Sequence, residues 1–142
     1  MRLLLDSHTF LWWVRNDPAL RRRARTLIAD TGNECYVSHA SVWEMAIKTW
    51  LGKLTLPSTA ERFVVHQCEI NGFHLQPITL AHIGLVELLP FHHRDPFDRL
   101  LVAQARIEGM TLVSRDPALK NYGISTDGPS GTNATPGSAW RA

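Results

Sequence analysis

Short apolar runs alternate with helical segments along most of the 142-residue chain. Four runs have the length and composition of buried strands: residues 2–5, 35–38, 73–78 and 111–114. The segments between them carry apolar residues at helical spacing. This order is typical of a parallel sheet covered by helices on both faces, because parallel strands need crossover connections. We therefore predict a single α/β domain.

Asp-Pro pairs predict where three of the helical segments begin. Aspartate is a good N-cap, and proline fits the first position of a helix. Asp17-Pro18 predicts one helix start, and Asp95-Pro96 predicts another, in a helix that Gly109 ends. Asp116-Pro117 predicts a last short helical turn after the fourth strand.

The size and composition predict a cytoplasmic protein with one hydrophobic core. Hydrophobic residues make up 44% of the chain and charged residues 20%, as in ordinary soluble domains. Cys35 and Cys68 lie in apolar stretches, which indicates buried thiols in a reducing compartment. No apolar stretch approaches the roughly 20 residues that span a bilayer, and no secretory signal is present. We expect the domain at residues 1–126 and a disordered tail at 127–142, where Gly, Pro, Ser, Thr, Asn and Ala dominate.

Basic residues are concentrated in one short segment, although the formal net charge of +2 is too small to identify a partner. The segment contains Arg21, Arg22, Arg23 and Arg25. These side chains either bind phosphate groups or form the solvated face of a helix. The sequence leaves both interpretations open.

Four acidic residues follow predicted strands or lie near the start of a predicted helix: Asp6, Glu44, Asp98 and Asp116. Because the carboxyl ends of parallel strands meet at one edge of a sheet, we expect these side chains to converge there. Carboxylates gathered in one place repel one another, and a divalent cation relieves this repulsion. Oxygen ligands suit Mg²⁺ or Mn²⁺. Such an ion can activate water for phosphodiester hydrolysis, so no serine or cysteine nucleophile is required.

Asp6 and Glu44 each have a structural alternative. Asp6 could simply cap the helix that follows it, yet a carboxylate between the apolar runs 3–5 and 10–13 is costly to bury without a ligand. Glu44 could form an ion pair with Lys48 at i, i+4, yet its neighbours make the helix apolar almost all round. We favour the functional interpretation of both residues.

The alternatives for Asp98 and Asp116 stay open on spacing alone. Asp98 would gain about 0.3–1 kcal/mol from the dipole of its helix without any ligand. Asp116 begins the tetrapeptide Asp-Pro-Ala-Leu, which also occurs at residues 17–20, where the aspartate has no apparent chemical role. Asp116 is therefore explained equally well as a helix cap.

The histidines and tryptophans give weaker indications. His8, two residues after Asp6, either touches a substrate or caps a turn. No histidine has the spacing of a zinc ligand. Four tryptophans are interpreted as core or dimer surface rather than as a platform for stacked bases: Trp12, Trp13, Trp43 and Trp50.

Three blocks of the sequence resemble the blocks of PIN-domain ribonucleases. They are Leu-Leu-Leu-Asp-Ser-His at 3–8, Ser-His-Ala-Ser-Val-Trp-Glu-Met-Ala-Ile-Lys at 38–48, and Asp-Pro-Phe-Asp-Arg-Leu-Leu-Val-Ala-Gln-Ala at 95–105. Shorter matches occur at 52–54 and 112–116. Within that family the chain is most similar to the VapC toxins of bacterial toxin–antitoxin pairs. The resemblance extends from the N-terminus to about residue 125.

The resemblance implies a parallel five-stranded sheet flanked by helices and an endoribonuclease activity that depends on Mg²⁺ or Mn²⁺. It also implies a homodimer, and a VapB-type antitoxin that inserts a C-terminal segment near the active site. The family's metal-site acids correspond to Asp6, Glu44 and Asp98, with Asp116 at a more variable fourth position. Asp95 is an additional acid in a subgroup of these toxins and is not expected to be a ligand. The tail after Asp127 departs from the family pattern.

Two other functions share part of this residue pattern. A haloacid-dehalogenase-like phosphatase also begins with a strand and an aspartate, but its motif needs a second aspartate two residues later, where this chain has His8. The other alternative is a non-catalytic RNA- or protein-binding module on the same fold. The four acids argue against it, because a protein that only binds phosphate would gain from losing them.

Overall fold

The computed structural model of the chain describes residues 1–91 and 94–122. In these ranges strands and helices alternate, as the sequence predicts. The strands are β1 (Arg2–Leu5), β2 (Glu34–Ser38), β3 (His74–Gln76) and β4 (Thr111–Val113). The helices are α1 (Ser7–Val14), α2 (Arg22–Ala29), α3 (His39–Trp50), α4 (Ala60–Asn71), α5 (Leu80–Leu88) and α6 (Pro96–Glu108), and a 3-10 helix (Pro117–Tyr122) follows β4. The predicted tail at 127–142, and the domain boundary before it, lie outside the described residues.

The strands form one parallel sheet in the order β3-β2-β1-β4. The apolar runs alone predict these four strands, whereas the family resemblance implies five. The described residues form a four-stranded sheet, so the predicted count of five is wrong for this part of the chain. After Val113 the chain turns at Asp116 and enters the 3-10 helix Pro117–Tyr122, with which the described residues end, so they form no further strand.

Helices cover the sheet on both faces, and the alternation of side chains along β1 divides its leucines between two cores. Leu3 and Leu5 pack in one core with residues of α1, α2 and α4, including Phe10. Leu4 points the other way and packs with residues of α6 and β4, including Leu101. Each buried leucine contributes roughly 1.5–3 kcal/mol, so the position of β1 is strongly fixed. None of the helices in the described ranges is long and apolar enough to cross a membrane.

The boundaries of α6 agree with the sequence prediction. The Asp95 carboxylate accepts hydrogen bonds from the backbone N–H groups of Phe97 (2.8 Å) and Asp98 (3.3 Å). Pro96 occupies the first position of the helix. Gly109 ends the helix with a φ of 67°, a left-handed conformation that glycine adopts without steric cost. Asp98 is thereby held in the first turn of the helix.

The start of α2 differs from the prediction made from Asp17-Pro18. The Asp17 carboxylate accepts the N–H of Ala19 (2.8 Å), and the Asp17 carbonyl accepts the N–H of Leu20 (3.1 Å). These two bonds close a tight turn rather than a helix. Arg21 is extended, and α2 begins only at the next residue. Because Leu20 is buried in the core, packing holds the turn in place, and the predicted helix start is wrong.

A buried polar network connects the start of α3 with the middle of α6. The Ser38 hydroxyl donates to the side-chain carbonyl of Gln104 (2.5 Å), and Ser38 Oγ accepts the N–H of Ala40 (2.9 Å). The Gln104 side-chain amide donates to the carbonyl of Pro77 (3.2 Å). Ser38 and Gln104 are fully buried, and hydrogen bonds left unmade in such surroundings are costly. The network therefore fixes α3 and α6 relative to each other.

Both cysteines lie in the core, as the sequence predicts. Cys35 and Cys68 are buried free thiols. Burial disfavours the thiolate and raises the pKa of each to about 11, from an ordinary value of 9.0. Neither thiol is poised to act as a nucleophile at neutral pH.

We expect Gln104→Ala to lower the free energy of unfolding by about 2–4 kcal/mol, measured by urea denaturation. The substitution leaves the Ser38 hydroxyl and the Pro77 carbonyl without this partner and opens a cavity. Gln67→Ala is the matched control, because the Gln67 amide oxygen accepts one long bond from Asn71 (3.4 Å). The control should cost less than about 1 kcal/mol. Equal losses from the two variants would contradict the importance of the network.

The raised thiol pKa values predict a pH dependence of stability. The unfolded chain loses its thiol protons near pH 9, while the folded chain keeps them to about pH 11. The free energy of unfolding should therefore fall as the pH rises through this window. Urea denaturation at pH 8 and pH 10 measures this fall, which should be smaller in a Cys35→Ala/Cys68→Ala variant. A fall of the same size with and without the two thiols would refute the assignment.

Candidate active site

A cleft with a volume of about 250 Å³ opens at the edge of the sheet where β1 and β4 end. The four acidic residues predicted from the sequence line this cleft, together with a fifth acid: Asp6, Glu44, Asp98 and Asp116, joined by Asp95. They come from segments that are far apart in the sequence. The parallel topology brings these segments to one edge of the sheet, as expected for a ligand site in such folds.

Asp6 both caps a helix and lines the cleft, so its two interpretations are compatible. It directly follows β1 and is the N-cap of α1. One oxygen of its carboxylate accepts the backbone N–H of Thr9 at 2.8 Å. The side chain is buried, with 8% of its surface exposed. The cap therefore fixes the orientation of a carboxylate that still faces the cleft.

Glu44 is also buried on the cleft wall, and two neighbours hold it. One carboxylate oxygen accepts the Ser7 hydroxyl at 2.5 Å, and the other lies 3.0 Å from the Lys48 ammonium group. The i, i+4 ion pair therefore forms, but it faces the cleft. Burying a carboxylate is costly unless it is paired, so Ser7 and Lys48 offset the cost of burying Glu44.

Asp98 and Asp95 lie together at the start of α6. Asp98 is half-buried in the first turn, where the positive end of the helix dipole favours a carboxylate. Asp95 uses one oxygen for the helix cap and also lines the cleft. Spacing alone predicts Asp95 as a helix cap, and the resemblance adds that it is an extra acid but not a ligand. Local spacing could not predict its position on the cleft wall.

Asp116 has the same local structure as Asp17, the first residue of the other Asp-Pro-Ala-Leu segment. The Asp116 carboxylate accepts the N–H of Ala118 at 2.9 Å, and its carbonyl accepts the N–H of Leu119 at 3.2 Å. The corresponding distances from Asp17 are 2.8 and 3.1 Å. Only Asp116 lines the cleft. The two aspartates therefore differ in surroundings and not in their local role.

The donor set of the cleft fits a hydrated Mg²⁺ or Mn²⁺ ion better than a dry metal cage. Among the described residues, no three His, Cys, Asp or Glu side chains are close enough to hold an ion by themselves. One oxygen of Asp6 and both oxygens of Glu44 have partners within the protein. Magnesium retains several waters and needs only one or two direct carboxylates, so this arrangement suits it.

Besides Asp95, five residues that line the cleft were not predicted to do so from the sequence: Ser7, Trp12, Lys48, Ser114 and Arg115. Ser7 and Arg115 are sequence neighbours of predicted acids, and this adjacency was the available signal. Ser114 is buried, and its Oγ accepts the N–H of Asp116 at 3.1 Å. His8 lies on the cleft wall, as one of its two interpretations requires.

The arginine cluster and the outer tryptophans lie away from the cleft. None of the arginines at 21–25 lines it. Arg25 donates to the Asn16 side chain and to the carbonyl of Asp17, which gives it a structural role. Trp43 and Trp50 are 57% and 85% exposed.

Comparisons with known proteins agree with this architecture. The family model described as "PIN domain" matches residues 3–124. No curated protein sequence matches the chain significantly. The chain has the fold of solved structures that share little sequence identity with it.

Three of these structures illustrate the likeness. VapBC2 from Rickettsia felis, bound to a DNA fragment from its promoter, matches with a TM-score of 0.66 at 12% identity, covering 90% of this chain and 98% of that chain. FitAB bound to the IR36 DNA fragment matches with a TM-score of 0.60 at 16% identity, covering 93% and 98%. FitAcB from Neisseria gonorrhoeae matches with a TM-score of 0.55 at 15% identity, covering 87% and 95%.

The family model covers most of the chain, and the described residues form a parallel sheet with helices on both faces and an acidic cleft at its edge. The chain therefore belongs to the PIN domain family, whose members are generally nucleases.

Proposed function

We propose that the protein is a metal-dependent endoribonuclease that acts as the toxin of a toxin–antitoxin pair. The observation that carries this proposal is the cleft in which acids from separate segments of a PIN fold meet. A protein that only bound RNA would gain nothing from five carboxylates there, because they repel phosphate. A hydrolase that binds a divalent cation uses them directly.

Asp6, Asp98 and Glu44 would surround a hydrated Mg²⁺ or Mn²⁺ ion, one or two of them as direct ligands and the rest through its waters, with Asp116 as a fourth acid. PIN nucleases generally use divalent metal ions. The bound ion supplies neutralisation of phosphate charge and activation of water for attack on phosphorus. The chain itself supplies the positions of the carboxylates. Thr9 fixes Asp6, and the α6 cap fixes Asp98.

Ser7 and Lys48 orient the Glu44 carboxylate before any ligand arrives. Because each holds one of its oxygens, the side chain cannot turn freely in the cleft. Preorganised polar groups of this kind need no rearrangement during the reaction, which is a main source of enzymatic rate enhancement. Ser7 and Lys48 are therefore positioning residues rather than metal ligands.

The proposed partners are RNA as substrate, a VapB-type antitoxin and a second copy of the chain, in the cytoplasm. The structural neighbours VapBC2 and FitAB are toxin–antitoxin complexes, which supports an antitoxin partner. Exposed apolar side chains on α5 support a protein contact there. They are Leu80 (86% exposed), Ile83 (54%) and Leu88 (76%).

We expect Asp6→Asn and Asp98→Asn each to lower the rate of RNA cleavage by at least about 100-fold, because an amide lacks the charge that holds a divalent cation. Asparagine also caps helices, so Asp6→Asn should leave α1 intact. The measurement is cleavage of end-labelled RNA in Mg²⁺ or Mn²⁺. EDTA should abolish cleavage by the wild-type protein.

Circular dichroism and thermal unfolding control for the fold of both variants. Cleavage at the wild-type rate by a folded variant would remove that residue from the site. Cleavage in EDTA would contradict metal dependence. RNA binding by the wild-type protein with no cleavage in either metal would favour a binding-only module.

The two Asp-Pro-Ala-Leu segments provide a matched pair of variants. Asp116→Asn and Asp17→Asn both retain an oxygen that can cap the turn, so they should change thermal stability by similar small amounts. Only Asp116→Asn should reduce cleavage, by roughly tenfold or more, because only Asp116 lines the cleft. Equal activities of the two variants would assign Asp116 a purely structural role.

A further inference from the structure

One wall of the cleft carries side chains that the proposed chemistry does not use. His8 stacks on Trp12, with ring centroids 5.6 Å apart and planes inclined by 21°. The guanidinium group of Arg115 lies 5.6 Å from the centroid of the Trp12 ring and donates to the carbonyl of Ala19 at 2.8 Å. His8, Trp12 and Arg115 all line the cleft beside the acids. Two distant segments of the chain thus build one surface.

Arg115 differs from the other cation of the cleft. Lys48 is paired with Glu44, so its charge is already balanced. Within the part of the chain that the structure describes, Arg115 contacts a ring and a carbonyl but no carboxylate. It is exposed, and a guanidinium group has five N–H donors, of which this carbonyl uses one. Such a group binds phosphate oxygens well.

His8 is exposed, and its ring stacks on the ring of Trp12. Its contact among the residues in 1–91 and 94–122 is the stack on Trp12, and its ring nitrogens make no hydrogen bond there. Trp12 itself is half-buried and packs against the core, so it supports the His8 ring from a rigid base. Because His8 is exposed, its ring is accessible to a planar ligand.

We propose that His8, Trp12 and Arg115 form a subsite for the nucleotide next to the scissile phosphate of a single-stranded RNA. This proposal rests on the nuclease function proposed above. The base stacks on the His8 ring, and Arg115 binds a phosphate beside it. Trp12, interpreted from the sequence as core or dimer surface, also serves as the support of the stacking ring.

The subsite selects single-stranded RNA because a stacking ring requires an unstacked base and the acidic cleft requires a cation that binds the backbone. A base can stack on a side chain only when it is not already stacked in a duplex, and stacking on aromatic rings accepts any base. Five carboxylates in the cleft repel the RNA backbone, so a cation without an acidic partner is needed beside them. Arg115 supplies this positive charge on the wall of the cleft, beside the acids.

The experiment measures binding of a labelled 12-nucleotide single-stranded RNA in EDTA, so that no metal or cleavage enters the result. We compare wild-type protein with His8→Ala and Arg115→Ala. The matched controls are His66→Ala and Arg62→Ala, which remove the same side chains from α4, away from the cleft. Both control residues are exposed, so all four variants should fold.

His8→Ala and Arg115→Ala should each weaken binding by about tenfold, while the controls stay within about twofold. Arg115→Ala should also lower the slope of log affinity against log salt by about 0.7. On a duplex RNA of the same sequence, His8→Ala should have no effect. In cleavage assays both variants should raise KM more than they lower kcat.

Three results would overturn the subsite. Binding as tight as wild type in both cleft variants would remove it. Equal losses in Arg115→Ala and Arg62→Ala would show that net charge alone is responsible. An equal effect of His8→Ala on single strands and duplexes would exclude stacking. If the wild-type protein binds as described but does not cleave in Mg²⁺ or Mn²⁺, the nuclease function fails and this binding surface stands.

Discussion

The parallel register of β1 with its two neighbours is the constraint from which the acidic cleft follows. Leu5 pairs with Val37 of β2 and with Val113 of β4, so the three strands end within one residue of one another. The backbone N–H of Asp6 then bonds to the carbonyl of Val113 at 3.3 Å, which places the acid at the rim. Burial of the β1 leucines in two separate cores holds this register, because a shift by one residue would turn them to the wrong faces.

Gathering acids at one rim has an electrostatic cost, and hydrogen bonds and an ion pair within the fold offset part of it for two of the acids. Glu44 has Ser7 and Lys48, and Asp6 has the N–H of Thr9. These partners orient the two carboxylates. A cleft lined by five acids favours a divalent cation and disfavours bare phosphate. The proposed binding of a metal ion and the proposed binding of RNA are therefore assigned to different side chains.

The sequence predicted the strands and the acidic rim because those signals are local, whereas the side chains around the acids come from tertiary contacts. Apolar runs and the caps of α6 were sufficient to place Asp98 in a first turn. The start of α2 was wrong because the buried Leu20 decides that turn, and burial is not visible in an Asp-Pro pair. The contact of Ser7 with Glu44 spans 37 residues of sequence, and that of Arg115 with Ala19 spans 96. No spacing rule predicts such pairs.

The two Asp-Pro-Ala-Leu segments make the same pair of capping hydrogen bonds, but only one of them brings its aspartate to the cleft. Only the second copy continues into a 3-10 helix, although the leucine of each copy is buried. The second copy follows β4 directly, so its aspartate reaches the rim, while the first copy follows α1. The first copy nevertheless contributes to the cleft through its backbone, because the carbonyl of Ala19 receives the Arg115 side chain. The segment at 116–119 therefore presents an acid to the cleft, and the segment at 17–20 positions a cation beside it. The difference arises from where the fold places each segment.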